Sequence, residues 1–132
     1  MCSVDFNSSI LVKDIMSKAL ISVNLTTPAF QIAKMMQLAG IGAILVKENG
    51  THVGIITDRD FATKITANNL PLDTPVEKIM SFPLITINYR EQISVAAKMM
   101  SHKKVRKLAV AEKGKIVGLI TSTDLVNQIA KT

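Results

Sequence analysis

Gly54-Ile55-Ile56-Thr57-Asp58-Arg59-Asp60 is answered 64 residues later by Gly118-Leu119-Ile120-Thr121-Ser122-Thr123-Asp124. Each heptad is a glycine, two apolar residues, a threonine and, three positions on, an aspartate. Outward from the heptads the correspondence continues without a gap, from Val12 to Phe61 against Val76 to Leu125. Ile15-Met16-Ser17 falls on Ile79-Met80-Ser81, Leu20-Ile21 on Leu84-Ile85, and Ala33-Lys34-Met35-Met36 on Ala97-Lys98-Met99-Met100. Roughly 19 of about 50 aligned positions are identical, more than chance composition supplies over an ungapped stretch. The chain is therefore a duplication. A unit of about 60 residues is marginal as an independent fold, so the two copies are expected to share a core and pack as one body.

The hydrophobic period changes in the same order within each copy. A short apolar strand comes first, Leu20 to Val23 and Leu84 to Ile87. Apolar residues then recur at Ala29, Ile32, Ala33 and Met36, and at Ile93, Ala96, Ala97 and Met100, the spacing of an amphipathic helix. Thr27-Pro28 is a start signal for the first of these helices, with proline at its first position. Two apolar runs flanking a turn follow: Ile41 to Val46 and Val53 to Ile56 around Lys47 to Gly50, then Lys107 to Ala111 and Lys115 to Ile120 around Glu112 to Gly114. Gly50 and Gly114 suit tight reversals, so each pair reads as a β-hairpin. A second helix begins near Asp58 and again near Ser122, giving β-α-β-β-α twice. The proline- and asparagine-containing stretch 68–75 marks a linker. The expected organisation is an N-terminal segment 1–11, repeat 1 over 12–67, the linker, and repeat 2 over 76–130.

Composition narrows the class. The chain has 132 residues, 48% hydrophobic and 20% charged, enough apolar material for a core. No run approaches the roughly 20 apolar residues that span a bilayer, and the first residues carry no secretory pattern, so a soluble cytoplasmic protein is expected. Cys2, the only cysteine, rules out an internal disulfide and a multi-cysteine zinc site within one chain. It reads as an exposed thiol. The net charge is +6, and residues 70–132 hold ten Lys/Arg against five Asp/Glu. That surplus, centred on Lys103, Lys104, Arg106, Lys107, Lys113 and Lys115, attracts anions, either a small ligand's phosphate or a nucleic-acid backbone.

The heptad itself has a physical reading. Its apolar pair ends a strand, the threonine turns the chain, and the aspartate falls in the first turn of a helix, where free N–H groups can receive an anion or a hydroxyl-rich group. Thr57 with Asp60, and Thr121 with Asp124, also fit a capping box. Taken singly, each favours capping. The duplication on matching scaffolds favours ligand binding in at least one copy, and the two roles can coexist.

The β-α-β-β-α order, the duplication and the paired G-h-h-T-x-x-D heptads (h apolar) resemble a tandem pair of cystathionine-beta-synthase (CBS) domains, a Bateman module, over about Val12 to Ala130. The resemblance implies an α/β (α+β) fold of two repeats with pseudo-two-fold symmetry and clefts between the repeats that bind adenosyl ligands. It implies that the aspartate takes hydrogen bonds from ribose hydroxyls and the threonine contacts ribose or phosphate. One site would comprise Ser17, Ile21, Ile41, Gly42, Arg106, Lys107, Thr121, Thr123 and Asp124, and its counterpart Thr57, Arg59, Asp60, Ser81, Ile85 and Val105. Arg106 and Lys107 stand where family members carry phosphate-contacting residues, whereas the first copy has Gly42 and Ala43, so the Asp124 site is expected to prefer a charged nucleotide. Arg59 can compensate in part at the other. Family members commonly have proline early in the first hairpin strand. Here Leu45 and Ala109 stand there and restore a backbone donor.

Other candidates read blandly. The methionine pairs are expected to pack helix against sheet. His52 and His102 are expected at the surface, with no second ligand spaced for a metal. The expectation is thus a regulatory module sensing AMP, ADP, ATP or S-adenosylmethionine, with no catalytic residues, no required cofactor and no metal. Its partners would be the ligand, a second copy in a homodimer, and an effector protein. The alternative is a nucleic-acid-binding accessory protein using the basic second repeat, although no aromatic residue interleaves with that cluster.

Overall fold

The computed structural model describes residues 9–131; Cys2 and nearly all of the N-terminal segment lie outside the described residues. The elements run α1 (Val12–Ile15), β1 (Ser22–Asn24), α2 (Ala29–Ala39), β2 (Ala43–Glu48), β3 (Thr51–Thr57) and α3 (Asp58–Asp60), the last continuing as a π-helical turn over Phe61–Thr66. A 3-10 turn at Val76–Lys78 precedes β4 (Thr86–Asn88), α4 (Ile93–Lys103), β5 (Lys107–Glu112), β6 (Lys115–Thr121) and α5 (Ser122–Ala130). Two three-stranded sheets result, ordered β1-β2-β3 and β4-β5-β6. In each the first pairing is parallel and the second a hairpin. The mixed α+β class and the twofold β-α-β-β-α order are as the periodicities imply.

The central strand of the first sheet is apolar without alternation because Ala43, Ile44, Leu45 and Val46 are all buried. Its hairpin closes through Asn49 (φ 51) and Gly50 (φ 79), the left-handed pair of a type I′ turn. Lys113 and Gly114 repeat those angles in the second hairpin. Helix α2 turns Ile32 and Met36 inward, and α4 does the same with Ala96 and Met100. Burying a side chain the size of Ile32 stabilises by about 1.5–3 kcal/mol. Ala33, placed by periodicity on the apolar stripe, is exposed. The stripe is rotated from the one the spacing suggests, with Met35 packed against the core where Ala33 is not. Pro28 is the N-cap and not the first helical residue. The helix's unpaired N–H groups are met from the linker, Ala29 N donating to Thr74 O (2.9 Å) and Phe30 N to Leu72 O (2.9 Å).

Most of the buried apolar residues fall in two clusters. One joins Val12 to Ile87, Ile93, Leu108, Val110 and Ile120. The other joins Val76 and Ile79 to Ile32, Ile44, Val46 and Ile56. The contacts divide the chain in the same way: the described residues up to Leu20 belong with those from Ile85 onward, and Ile21–Leu84 form the second unit. Each unit thus takes the segment that leads into one repeat and builds it onto the sheet of the other. No helix among the described residues is long and apolar enough to cross a membrane.

Candidate functional site

Both heptads sit where a strand passes into a helix, β3 into α3 and β6 into α5. The glycine and the residue after it set the position of a neighbouring chain. Ile55 and Ser81 exchange backbone hydrogen bonds of 3.0 and 2.8 Å, and Leu119 and Ser17 exchange bonds of 2.9 and 2.8 Å. These bridges crowd the glycines: a Cβ on Gly54 would stand 2.9 Å from Ser81 O, and one on Gly118 2.8 Å from Ser17 O. The motif glycine therefore admits the lead-in segment, a role that strand geometry alone does not announce. This pairing holds Ser17 and Ser81 beside the strand that leads into the opposite repeat's motif threonine.

Thr57 and Thr121 are N-caps, and both capping boxes form. Thr57 N donates to Asp60 Oδ2 at 2.9 Å and Asp60 N to Thr57 Oγ1 at 3.4 Å. Thr121 N donates to Asp124 Oδ2 at 2.9 Å and Asp124 N to Thr121 Oγ1 at 3.1 Å. Here the resemblance between the copies stops. Asp60 is 5% exposed, and it takes three further hydrogen bonds: from Thr57 Oγ1 to Oδ2 (3.2 Å), and from Ser81 Oγ (3.0 Å) and the Lys64 ammonium (3.0 Å) to Oδ1. An ionised carboxylate offers about four lone-pair positions, and all are used. Asp124 is half-buried, and among the described residues only Thr121 N donates to it, leaving Oδ1 without a partner.

The remaining expected residues fall on the two units as follows. Ser17, Arg106, Lys107, Thr121, Thr123 and Asp124 belong to one unit, while Ile21, Ile41 and Gly42 belong to the other. Thr57, Arg59, Asp60 and Ser81 likewise share a unit that does not include Ile85 and Val105. Arg106 is exposed, and its carbonyl accepts from Ser122 N at 2.8 Å, fixing the basic residue beside the start of α5. At the matching place Gly42 O accepts from Asp58 N (3.0 Å), and a Cβ there would press on Asp58 Oδ2 at 3.0 Å. A cation in one copy thus corresponds to a glycine against a carboxylate in the other. Ile21, Ile41, Ile85 and Val105 all pack against their own unit's core. The donors that proline would remove are in use: Leu45 N bonds Ile21 O (3.0 Å) and Ala109 N bonds Ile85 O (3.1 Å), extending the parallel pairings.

Lys64 is the residue that sequence reasoning missed. The signal available was the i, i+4 spacing from Asp60, together with Gln128 at the matching place in the second copy. Its ammonium also donates to Ile79 O (3.0 Å) and Met80 O (3.2 Å). His52 corrects the expectation of a surface residue. It is half-buried in β3 with Nε2 3.1 Å from Ser22 Oγ, and burial, then the nearby Lys47 charge, lower its pKa below 6.5. His102 is exposed. Met36 and Met100 are buried in the cores with Met35 and Met99 packed against them, so the methionine pairs are packing residues. No group of His, Cys, Asp or Glu among the described residues could hold a metal ion.

A family model for the CBS domain matches residues 12–67 and 76–131, and the chain belongs to that family. Among curated proteins, the CBS domain-containing protein YhcV of Bacillus subtilis is 32% identical over 120 residues, covering 90% of this chain and 86% of the relative. In two archaeal relatives the matched region is 62% and 24% of the protein's length. A crystal structure of a conserved protein from Pyrococcus horikoshii superposes with a TM-score of 0.87 at 30% identity, covering 92% of each chain. The CBS domain pair of protein MJ0100, solved with 5′-methylthioadenosine and S-adenosyl-L-methionine, gives a TM-score of 0.83 at 31% identity over 92% of this chain and 97% of that one.

Proposed function

We propose that the chain is a ligand-sensing regulatory module that binds an adenine nucleotide or another adenosyl ligand, its ribose hydroxyls donating to Asp124. The observation that carries this reading is the half-buried Asp124 carboxylate, oriented by Thr121 N and with Oδ1 unclaimed among the described residues. A carboxylate held in one orientation can accept both hydroxyls of a cis-diol without first losing its own partners. Arg106 beside the start of α5 supplies positive charge for a phosphate or carboxylate on the same ligand. The MJ0100 pair, similar in sequence and in fold, holds two adenosyl compounds, which supports the ligand class. The module works by linkage: a ligand favours one arrangement of the chain, and a second copy or an effector protein reads the difference. It binds its ligand and leaves it unchanged.

Calorimetry on the full chain with AMP, ATP, S-adenosylmethionine and 5′-methylthioadenosine tests the reading. Saturable binding by at least one of them, weakened tenfold or more in Asp124→Ala, is expected. Absence of binding by all four, or an Asp124→Ala affinity equal to the native one, abandons it. Exposed Lys103, Lys104 and Arg106 favour a second reading as a nucleic-acid binder. Binding to an oligonucleotide would then fall steeply with salt, whereas recognition of a sugar and base keeps most of its strength.

A further inference from the structure

We infer that the first repeat's sugar site is closed from within by Lys64 and Ser81, so that each chain takes up one adenosyl ligand, at Asp124, and not two. The inference rests on the functional reading above and adds its stoichiometry and the residues that set it. At Asp60 every acceptor position is filled: Oδ2 by Thr57 N and Thr57 Oγ1, Oδ1 by Ser81 Oγ and Lys64 Nζ. A ribose hydroxyl reaching Asp60 must displace a charged donor at 3.0 Å from a carboxylate that is 5% exposed, and it offers a neutral donor in place of an ammonium that pairs charge with charge. Lys64 is not free to swing aside at little cost, because Ile79 O, Met80 O and Ser81 Oγ also lie within 3.0 to 3.5 Å of its ammonium.

The second repeat lacks the same closure. Gln128 occupies the place of Lys64, and Ser17 that of Ser81. Among the described residues neither side chain hydrogen-bonds Asp124. Thr57 donates its hydroxyl proton to Asp60 Oδ2 at 3.2 Å, whereas Thr121 Oγ1 only accepts, from Asp124 N, so the Thr121 hydroxyl proton remains available to a ligand. Of the three side chains that close Asp60, Thr57 and Ser81 have the same residue type in the second copy, and the one difference in type is Lys64 against Gln128.

Isothermal calorimetry with S-adenosylmethionine and with AMP on the full-length native chain, Lys64→Gln and Gln128→Lys decides the matter. We expect one equivalent for the native chain, two for Lys64→Gln, and the second equivalent lost again in Lys64→Gln/Asp60→Ala. Gln128→Lys is expected to weaken binding at least tenfold. An added cation near a phosphate should otherwise strengthen AMP, so weakening there reads as closure and not as electrostatics, and this variant decides if Lys64→Gln does not fold. Two equivalents in the native chain, one of them lost with Asp60→Ala, overturn the closure while leaving the functional reading intact. A folded Lys64→Gln that still takes one equivalent does the same, as does a Gln128→Lys chain with native affinity. No uptake of either probe by the native chain or by Lys64→Gln overturns both.

Discussion

A Cβ placed on Gly118 would lie 2.8 Å from the carbonyl oxygen of Ser17, a separation real Cβ atoms essentially never show. The same carbonyl accepts from Leu119 N at 2.9 Å, so the obstacle is hydrogen-bonded backbone, which cannot rotate away as a side chain can. Gly118→Ala is therefore expected to lower stability by about 1–3 kcal/mol, read as a lower urea midpoint. Met16 Sδ would also stand close, at 2.7 Å, but Met16→Ala should not rescue the variant, since the backbone clash remains. Full rescue by Met16→Ala would place the constraint in the thioether and not in the paired strand.

Helices α2 and α4 end alike, with a left-handed residue whose N–H returns to the fourth residue before it: Gly40 (φ 66) to Met36 O, and Lys104 (φ 56) to Met100 O. Glycine adopts this geometry without strain and lysine does not. Lys104→Gly is expected to stabilise by about 0.5 kcal/mol, the gain being trimmed by loss of a cation near the helix C-terminus, where His102 and Lys103 remain. Gly40→Ala is expected to cost about 1 kcal/mol. Thermal unfolding of the two variants should move in opposite directions, and parallel shifts would contradict the assignment.

These two comparisons also mark what the sequence could disclose. The helices and hairpins were legible because Ile32 and Met36, or Gly50 after its apolar strand, obey local periods that any window of the chain displays. The capping boxes were legible because Thr57 and Asp60 are three residues apart. The exchange of lead-in segments between the two clusters was not legible: Val12 and Val76 lie in turns of three or four residues, too short to carry a period, and their partners are distant in sequence. Ser81 meeting Asp60 across 21 residues, and Ser17 meeting Leu119, are likewise tertiary facts. The closure at Asp60 could be seen only once those segments were in place. Lys64 read alone was one more cation on a helix.

His52 ties β3 to β1 through Ser22 and resists protonation because of its burial and the Lys47 charge. The sign follows from linkage. In the unfolded chain the imidazole takes its proton near 6.5, and in the folded chain only at a lower pH. Between those two values the unfolded state binds more protons, so stability is lost as pH falls from 6.5 through that window. His52→Gln keeps a polar group for Ser22 and removes the titration. Urea unfolding at pH 7.5 and at pH 5 should show a smaller acid loss in the variant than in the native chain, and equal losses would mean that His52 does not contribute.

Asp60 and Asp124 occupy the same place in two copies of one motif, yet their removal should rank in one order for stability and in the reverse order for binding. Asp60→Ala deletes a helix cap and leaves Thr57 N, Ser81 Oγ and the Lys64 ammonium without their shared acceptor. A lost cap costs about 1 kcal/mol, and a cation deprived of a largely buried partner adds to it, for an expected loss of about 2–4 kcal/mol. Lys64 keeps its carbonyl partners and some exposure to solvent, which holds the loss below that of a fully buried pair. Asp124→Ala removes one cap from a half-buried position and should cost about 1 kcal/mol. Affinity for an adenosyl ligand should follow the reverse order: the Asp124 variant loses it, and the Asp60 variant, assayed where it remains folded, keeps it. Denaturation and calorimetry on the same two proteins give both rankings. If the variant that is less stable is also the one that loses binding, the two carboxylates do not divide the roles of structure and recognition between them.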